Sequence, residues 1–374
     1  MTTVTRARLV AAAAAAAAVL AVVGLTSAVP AADARDGGRQ MWDTKVLSKV
    51  PSPGFPAFVY AHPDGRLYTG TYTNPQGDSQ PSKVFEWTRR GALTRSWTVP
   101  GQHLDQDHGV QVATSDAKGR LVLLEKSTSR VMRLNTDTGH YTAYSRLRDL
   151  PTCPPGTDPD GSCSPNVTDY PAIPNYAAWG RHGELYVTDY GQAVIWRIPP
   201  GGGKAQPWYE DARLDGSEFG TAGLLLARNH RSLLITQQSS AQEPDVTQGK
   251  LYRLPIRHGK PTDLKLMWTS EPSDLPDGFG IGKSGRIYIA NAGLTNQLVM
   301  LSPKGKELER FPQTPGTGEN GSPIPFDTPS SATFSGKRVM VANQAFFGDT
   351  THHAILDVYV GERGAPVFIP KSAG

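Results

Sequence analysis

One local pattern of apolar and polar positions recurs along the chain. An apolar run leads into a tight turn that usually contains glycine, and a second short apolar run follows the turn. The six copies are AHPDGRLYTGT from Ala61, SDAKGRLVLLE from Ser115, WGRHGELYVTD from Trp179, ARNHRSLLITQ from Ala227, GKSGRIYIAN from Gly282 and FSGKRVMVAN from Phe334. The equivalent apolar positions recur every 48 to 64 residues, at Leu67, Leu121, Leu185, Leu233, Ile287 and Val339. Such a period indicates a repeat protein built from one supersecondary unit.

Each copy continues into two further strand-like segments rich in β-branched and aromatic residues. The third strands are predicted at 84–87, 131–134, 194–198, 251–254, 298–301 and 355–360, and the fourth around Trp97, Tyr144, Trp208, Trp268, Phe311 and Phe368. Four strands repeated six times predict an all-β, six-bladed β-propeller, with residues 35–374 as one domain. The segment 45–50 also resembles a fourth strand and is expected to help close the ring in the last blade. The sequence leaves open whether this segment or the C-terminal one is outermost.

Residues 1–34 have the pattern of a secretory signal peptide. Arg6 and Arg8 precede an apolar run from Leu9 to Leu25, and Ala32-Asp33-Ala34 gives a small-x-small cleavage site. The alternative, a membrane anchor, is disfavoured because the run is short and dominated by alanine. We therefore expect a secreted, extracellular protein without a membrane span after cleavage, and we expect it to be a monomer.

The chain has two cysteines, Cys153 and Cys163, and in an exported protein such a pair predicts a disulfide. A metal site is the weaker alternative because no second Cys or His pair lies nearby.

The net charge is +4, and the basic residues are scattered among acidic ones without interleaved aromatics. This pattern excludes nucleic acid as an expected partner. A small molecule is the expected one.

The inner ends of the first strands carry the candidate functional residues. Asn175 and Asp277 each stand eight residues before a turn glycine, Gly183 and Gly285, so the repeat places them at the same height at one mouth of the channel. We expect them to face one another across this mouth. Blade one has Ala57 at that level, and blade four has Ala222 if its turn carries one extra residue. In blade two, Asp107 and His108 are candidates for substrate binding, as is Tyr176 beside Asn175.

The ends of the second strands are polar in every copy, at Thr71, Glu125, Asp189, Gln237, Asn291 and Asn343. Either these residues begin turns or they form a second ring of hydrogen-bonding groups at the mouth. The long connections, at 148–174, 238–249, 311–329 and 344–353, all lie on the same side, where repeat proteins commonly bind ligands. The loop with the two cysteines is either a lid or only a stabilising staple.

Asn and Asp oxygens converging with water suit a hard divalent ion, which can polarise an ester or lactone carbonyl while a carboxylate takes a proton. Asp277 is the candidate carboxylate, although Pro-Asp-Gly is also a common turn sequence. His352 and His353 beside Asp349 are a second, weaker metal candidate. Serine-hydrolase elbows and nucleotide-binding glycine motifs are absent from the sequence.

Four passages resemble the senescence-marker-protein/gluconolactonase/luciferin-regenerating-enzyme-like family. They are FPAFVYAHPDGRLYTGT from Phe55, IPNYAAWGRHGELYVTD from Ile173, LPDGFGIGKSGRIYIAN from Leu275 and TPSSATFSGKRVMVAN from Thr328. The resemblance implies a six-bladed propeller, a divalent metal such as Ca²⁺ or Zn²⁺ in the central channel, and hydrolysis of lactones or related esters. It implies that Asn175 and Asp277 are metal ligands and that Asp277 is the general base.

The chain departs from the family pattern at two ligand positions. The expected glutamate of the opening blade is Gly54, and the second asparagine is Ala222. Metal binding then needs a replacement ligand, for which Asp107, His108 and Asp327 are candidates. Two functions follow: a lactonase- or esterase-like hydrolase, or a non-catalytic propeller that holds a small molecule or a partner. A condensing enzyme similar to strictosidine synthase is a third reading.

Overall fold

A computed structural model describes residues 38–217, 219–241 and 244–374. The proposed signal peptide at 1–34 lies outside the described residues. Gly38–Gly374 form one compact unit made of antiparallel four-stranded sheets, each of which is one blade of a six-bladed propeller. In the described part of the chain, no helix has the length and apolar character needed to cross a membrane.

The strands follow the chain blade by blade, except that β1 (Thr44–Lys49) belongs to the last blade. Blade 1 contains β2 (Pro56–Ala61), β3 (Leu67–Thr71), β4 (Lys83–Trp87) and β5 (Leu93–Thr98). Blade 2 contains β6 (Val110–Ser115), β7 (Leu121–Glu125), β8 (Arg130–Asn135) and β9 (His140–Arg146). Blade 3 contains β10 (Pro174–Trp179), β11 (Leu185–Asp189), β12 (Val194–Ile198) and β13 (Gln206–Glu210).

The remaining blades repeat this order. Blade 4 contains β14 (Thr221–Leu226), β15 (Ser232–Gln237), β16 (Lys250–Arg257) and β18 (Lys265–Thr269), with the short β17 (Lys260–Pro261) beside β16. Blade 5 contains β19 (Pro276–Ile281), β20 (Ile287–Asn291), β21 (Leu298–Leu301) and β22 (Glu307–Phe311). Blade 6 contains β23 (Pro329–Ser335), β24 (Arg338–Asn343), β25 (Ala354–Tyr359) and β1.

Burial explains why the apolar pattern differs between inner and outer strands. The second strand of a blade, such as β3, β7 or β20, is buried at every position because neighbouring blades cover both of its faces. The outermost strands, such as β5, are half exposed. The repeat markers, from Leu67 to Val339, are all buried on second strands, which confirms the prediction of equivalent core positions.

The turn of blade 4 confirms the predicted extra residue. Leu226 pairs with Leu233, whereas Trp179 pairs with Leu185 in blade 3, so the blade 4 turn is one residue longer. His230 adopts the left-handed backbone conformation there, with φ of 53°. Gly183 has this role in blade 3, with φ of 90°.

The ring is closed by the N-terminal strand. β1 pairs with β25 as the outermost strand of blade 6, so the predicted closing role of 45–50 is confirmed. The predicted fourth strand around Phe368 is wrong. Pro366 and Pro370 flank this apolar run and lack the N–H donors that a strand ladder needs, and β1 already occupies the outer edge.

The C-terminal segment instead crosses the face of the propeller opposite the long loops. Ala365 donates its N–H to Ile281 O at 2.7 Å, and Phe368 packs on His230 with ring centroids 4.2 Å apart. At its end, Ala373 O accepts a hydrogen bond from Ala117 N at 2.8 Å. These contacts join the first turns of blades 5, 4 and 2, so this segment, called the C-terminal strap (residues 363–374), ties separate blades together.

We predict that a chain ending at Gly364 is less stable than the full chain by about 2–4 kcal/mol. The truncation exposes apolar surface now covered by Phe368, Ile369 and Ala373. Urea denaturation measures the change, and Val367→Ser, at an exposed position of the strap, serves as the control that keeps full stability. Equal stability of the truncated and full chains would show that the strap does not clamp the ring.

Candidate functional site at the channel mouth

Strand register places six residues at the same level around one end of the channel. Each follows the first paired residue of an inner strand: Pro56, Val110, Pro174, Thr221, Pro276 and Pro329 occupy that preceding position. The ring, called the inner ring, therefore consists of Ala57, Gln111, Asn175, Ala222, Asp277 and Ser330. Asn175 and Asp277 are at equivalent heights, and Asp277 is the only carboxylate in this ring.

The ring geometry corrects two details of the sequence-based site. Asn175 and Asp277 belong to blades 3 and 5, which are separated by blade 4, so they do not face each other across the mouth. Gln111 of blade 2 lies opposite Asp277. The sequence analysis did not include Gln111, although it stands eight residues before Gly119, because the charged pair Asp107 and His108 just upstream offered more reactive side chains.

Asp107 and His108 lie outside the inner ring. His108 is buried, and its ring nitrogens contact backbone oxygens of Gln106 at 2.9 Å and Gln80 at 2.7 Å. Asp107 lies 3.8 Å from Lys126 Nζ. The His108 ring thus holds loop backbone together, and substrate binding by Asp107 and His108 stays a prediction.

Asp277 is a buried carboxyl with an incomplete set of partners. Its Oδ1 atom has no hydrogen-bond partner. Burial raises the pKa of Asp277 to about 8, although Tyr176, Gln238 and the backbone N–H of Gly278 partly oppose this shift. Burial deprives the charged form of most of its hydration, so the neutral acid is favoured at pH 7.

Tyr176 plugs the channel beneath the inner ring. Its hydroxyl group crosses from blade 3 to donate to Ser330 O in blade 6 at 2.9 Å, and Phe58 packs against its ring with centroids 5.1 Å apart. A Cβ atom at Gly278 would lie 2.3 Å from Tyr176 Oη, so only glycine fits below Asp277. The phenol has one proton, which it donates to Ser330 O here and can donate instead to an ionised Asp277.

A second ring of side chains stands above the inner ring, one residue after the polar strand ends considered in the sequence. The residues that follow the second strands are Tyr72, Lys126, Tyr190, Gln238, Ala292 and Gln344. Tyr72 Oη donates to Gln111 Oε1 at 2.9 Å, and Tyr190 Oη donates to Gln238 Oε1 at 2.7 Å. Lys126 Nζ lies 5.8 Å from the centre of the Tyr72 ring. These side chains form the wall of the mouth.

The polar residues from Thr71 to Asn343 serve the turns, which was one of the two alternatives for them. Side chains alternate along a strand, so the residue before the wall points into its own blade. Glu125 accepts the N–H of Ser127 at 2.8 Å, and Asp189 accepts the N–H of Ile173 at 3.0 Å. Asn291 is the exception, because both polar atoms of its buried side chain have no partner.

The two adjacent histidines point to different places. His352 Nδ1 lies 2.9 Å from Asp327 Oδ2, whereas His353 packs on Phe55 with ring centroids 4.3 Å apart. Asp349 caps a short 3-10 helix by accepting the N–H of Thr351. Within the ranges that the structure describes, no three metal-ligating side chains of the His, Cys, Asp and Glu types cluster. The described residues therefore do not support the weak metal candidate at this histidine pair.

The inner ring also does not fit a tightly held divalent ion. A Cβ atom at Gly54 would lie 2.2 Å from His353 Nδ1, so His353 occupies the space that a glutamate at this position needs. Gly54 also has φ of 82°, which disfavours any side chain. Ala222 has no side-chain atom that can bind a metal ion. One carboxylate together with neutral amides is a weak set of ligands for a divalent ion.

The disulfide Cys153–Cys163 is present, as predicted. Its loop lies on the side of the long connections and packs on blade 3: Asn166 Nδ2 donates to Gly191 O at 3.0 Å, and Val167 N donates to Asp215 Oδ2 at 2.7 Å. A cavity of about 370 Å³ separates the loop from Glu210 at the outermost strand of the blade. These contacts favour a staple over a lid.

A further cavity, the rim pocket, lies beside the mouth between the upper loops of blades 5 and 6. Its volume is about 300 Å³, and its lining includes Leu294, Phe326, Asp327, Phe347 and His352. Asp327 is therefore a rim residue that pairs with His352, and its predicted role as a replacement ligand in the inner ring is not supported by this position.

We predict that Asp277→Asn stabilises the metal-free protein increasingly as pH rises from about 4 to about 8. The unfolded carboxyl loses its proton near pH 4 and the folded one near pH 8, so between these values folding takes up a proton and stability falls with pH. The neutral amide avoids this cost, which is on the order of a few kcal/mol at pH 9. Thermal unfolding of both proteins in chelator across this range measures the difference.

Asp189→Asn is the matched control. Asp189 is also buried, but it accepts four hydrogen bonds, from Ile173, Gly191, Gln192 and Trp196. The amide in Asp189→Asn would place an N–H group, in place of an accepting oxygen, opposite one of these donors. That donor loses its hydrogen bond, so this variant should lose stability at every pH. A pH-independent difference between wild type and Asp277→Asn would contradict the neutral-acid assignment.

Comparisons with known proteins agree on the architecture. No family model matches the sequence, and no curated protein matches it either. Among solved structures, the calcium-binding protein regucalcin from Agrobacterium tumefaciens aligns with a TM-score of 0.57 at 15% identity, over 87% of this chain and 95% of that one.

Two other solved structures give the same picture. A protein described as a gluconolactonase aligns with a TM-score of 0.56 at 14% identity, over 87% of this chain and 94% of that one. A luciferin-regenerating enzyme aligns with a TM-score of 0.55 at 13% identity, over 86% of this chain and 98% of that one. The chain is thus structurally similar to gluconolactonase, regucalcin and luciferin-regenerating enzyme, and it shares their propeller fold.

Proposed function

We propose that this chain is a hydrolase of lactones or related esters, with Asp277 as the general base at the channel mouth. The observation that carries the proposal is the unbonded Oδ1 of a buried carboxyl in a ring that also holds the neutral polar side chains of Asn175 and Gln111. The structural neighbour described as a gluconolactonase supports the choice of substrate class. Since a fold hosts many functions, the site and not the fold must be tested.

The reaction needs a base, a water molecule and donors for the carbonyl oxygen. The ionised Asp277 takes a proton from water at Oδ1 while the water oxygen bonds to the carbonyl carbon. Side-chain N–H groups of Asn175 and Gln111, in the same ring, can donate to the oxygen that becomes negative. The C–O bond of the ring or ester then breaks, and Asp277 returns the proton to the leaving oxygen. The product is a hydroxy acid, or an acid and an alcohol.

No step in this mechanism passes through a metal. The family resemblance implied Ca²⁺ or Zn²⁺, but His353 fills the space beside Gly54 and Ala222 has no ligand atom. Buried dipoles in a dry site can stabilise the developing charge without an ion. This proposal keeps Asp277 and Asn175 as site residues and gives Asn175 a donor role.

A binding function is the second candidate. The neutral form of Asp277 at pH 7 and the wall formed by Tyr72 and Tyr190 suit the recognition of a small, uncharged, hydrogen-bonding ligand. Tyrosines often combine apolar contact with a polar group in such sites. A protein with this function binds the same compounds without turnover.

We also propose that the protein works outside the cytoplasm, as a monomer with a small-molecule partner. The Cys153–Cys163 disulfide supports an oxidising compartment. Fractionation of the native cells and size-exclusion chromatography of the purified protein test these two points.

We predict that kcat/KM for lactone hydrolysis rises about tenfold per pH unit below pH 8 and levels off above it. The carboxylate form of Asp277 is the active base, and its population follows the pKa of about 8. Asp277→Asn should lower kcat by a factor on the order of 10² or more. A panel of lactones and esters assayed from pH 5 to pH 10 measures both effects.

Asp64→Asn makes the same chemical change in an exposed turn on the opposite face and should leave the rate unchanged. Equal rates for wild type and Asp277→Asn exclude Asp277 as the base. If wild type binds a lactone and neither protein hydrolyses it, the binding function replaces the hydrolase.

We predict that prolonged treatment with EDTA leaves the rate intact and that the purified protein contains less than stoichiometric metal. Gly54 and Ala222 supply no ligand atom at two of the family positions, and Asn175 is a neutral ligand, so tight binding of a divalent ion is unfavourable. Elemental analysis and assays with added Ca²⁺ or Zn²⁺ measure this. Loss of activity on chelation, with recovery on adding either ion, contradicts the metal-free mechanism.

A further inference from the structure

The rim pocket has an apolar lining that the mechanism at the mouth does not use. Leu294 comes from the β20–β21 connection, Pro325 and Phe326 come from the β22–β23 connection, and Phe347 comes from the β24–β25 connection. Three loops from two blades thus build one concave surface. Its volume of about 300 Å³ lies at the lower end of the range for small-molecule sites.

Two large apolar side chains of this pocket are uncovered. Leu294 is 56% exposed and Phe347 is 52% exposed. Exposed apolar side chains are common when they are isolated, but these two line the same cavity. A ligand that removes them from water gains the hydrophobic free energy of both surfaces.

The polar groups of the rim pocket are bonded to one another or to backbone. Asp327 pairs with His352, and Asn296 Oδ1 accepts the N–H of Thr328 at 2.8 Å. Thr317 Oγ1 donates to Thr314 O at 3.2 Å. Recognition in this pocket therefore depends mainly on its apolar groups.

A series of ring contacts links the rim pocket to the wall of the mouth. The Phe347 ring lies 6.3 Å from that of Phe219, which lies 6.4 Å from that of Tyr190. Tyr190 in turn bonds to Gln238, which interacts with Asp277. The rim pocket and Asp277 therefore lie on the same side of the propeller, linked by a short series of side chains.

We propose that the rim pocket binds an apolar substituent of the substrate, so the substrate is a lactone or ester that carries an alkyl chain or an aromatic ring. This inference rests on the proposed hydrolase function and names its substrate class. Polar sugar lactones lack such a substituent and leave Leu294 and Phe347 in water.

The test uses a series of γ-lactones with alkyl side chains from zero to about six carbons. In wild type, kcat/KM should rise about three- to fourfold for each added methylene until the pocket is filled. Leu294→Ser and Phe347→Ser should flatten this dependence, and both positions are exposed enough to preserve the fold. Leu308→Ser, at an exposed leucine on the outermost strand of blade 5, is the matched control and should keep the wild-type slope.

Calorimetric titration of the same lactones into Asp277→Asn, alone and combined with Phe347→Ser, separates binding from catalysis. Hydrolysis without chain-length dependence overturns the rim pocket and leaves the hydrolase function in place. Chain-length-dependent binding that Phe347→Ser removes, without hydrolysis by wild type, supports the rim pocket and overturns the hydrolase function. If wild type does not hydrolyse the lactones and no binding depends on chain length, both the hydrolase function and the rim-pocket proposal are overturned.

Discussion

The pairing of β1 with β25 is the interaction on which the rest of the structure depends. Blades that follow each other along the chain form an open row, whose first and last members have exposed faces and edges. Here one N-terminal strand completes the sheet begun by three C-terminal strands, from Thr44 opposite Val358 to Lys49 opposite Ala354. Trp42, stacked on Phe311 at 5.2 Å, extends this junction toward blade 5. Only a closed ring fixes the positions of the inner strands, and therefore the distance across the mouth.

The two buried carboxyls of Asp189 and Asp277 show how hydrogen bonding distinguishes a structural role from a functional one. Asp189 is surrounded by donors from its own blade, so its oxygens hold the turn and the nearby tryptophan in place. Asp277 is equally enclosed but keeps an unbonded oxygen, which costs folding free energy. Such a cost, in a ring that also contains Asn175 and Gln111, is typical of a site where the protein trades stability for reactivity.

Repetition made the fold predictable, and the same repetition explains the errors at the site. Six copies of one pattern gave the blades and their core positions, because the apolar period reports burial directly. The polar strand ends, such as Thr71, suggested a ring as one alternative, but the wall begins one residue later, at Tyr72, because a one-residue shift reverses the side of a strand that a residue faces. The C-terminal strap was mistaken for a strand because its apolar residues pack on turns. The contacts of His353 with Gly54 depend on two segments far apart in sequence, and no local pattern contains them.

The position of Tyr176 determines how molecules pass through this propeller. Its side chain spans the channel from blade 3 to blade 6 directly below the inner ring, with Phe58 beside it. The channel is thus a well with one opening and not a tunnel. Whatever enters must leave by the same route, so a bound product blocks the next arrival until it departs. Release past the wall of Tyr72 and Tyr190 then sets an upper limit on the rate of exchange, independently of how fast any bond is broken.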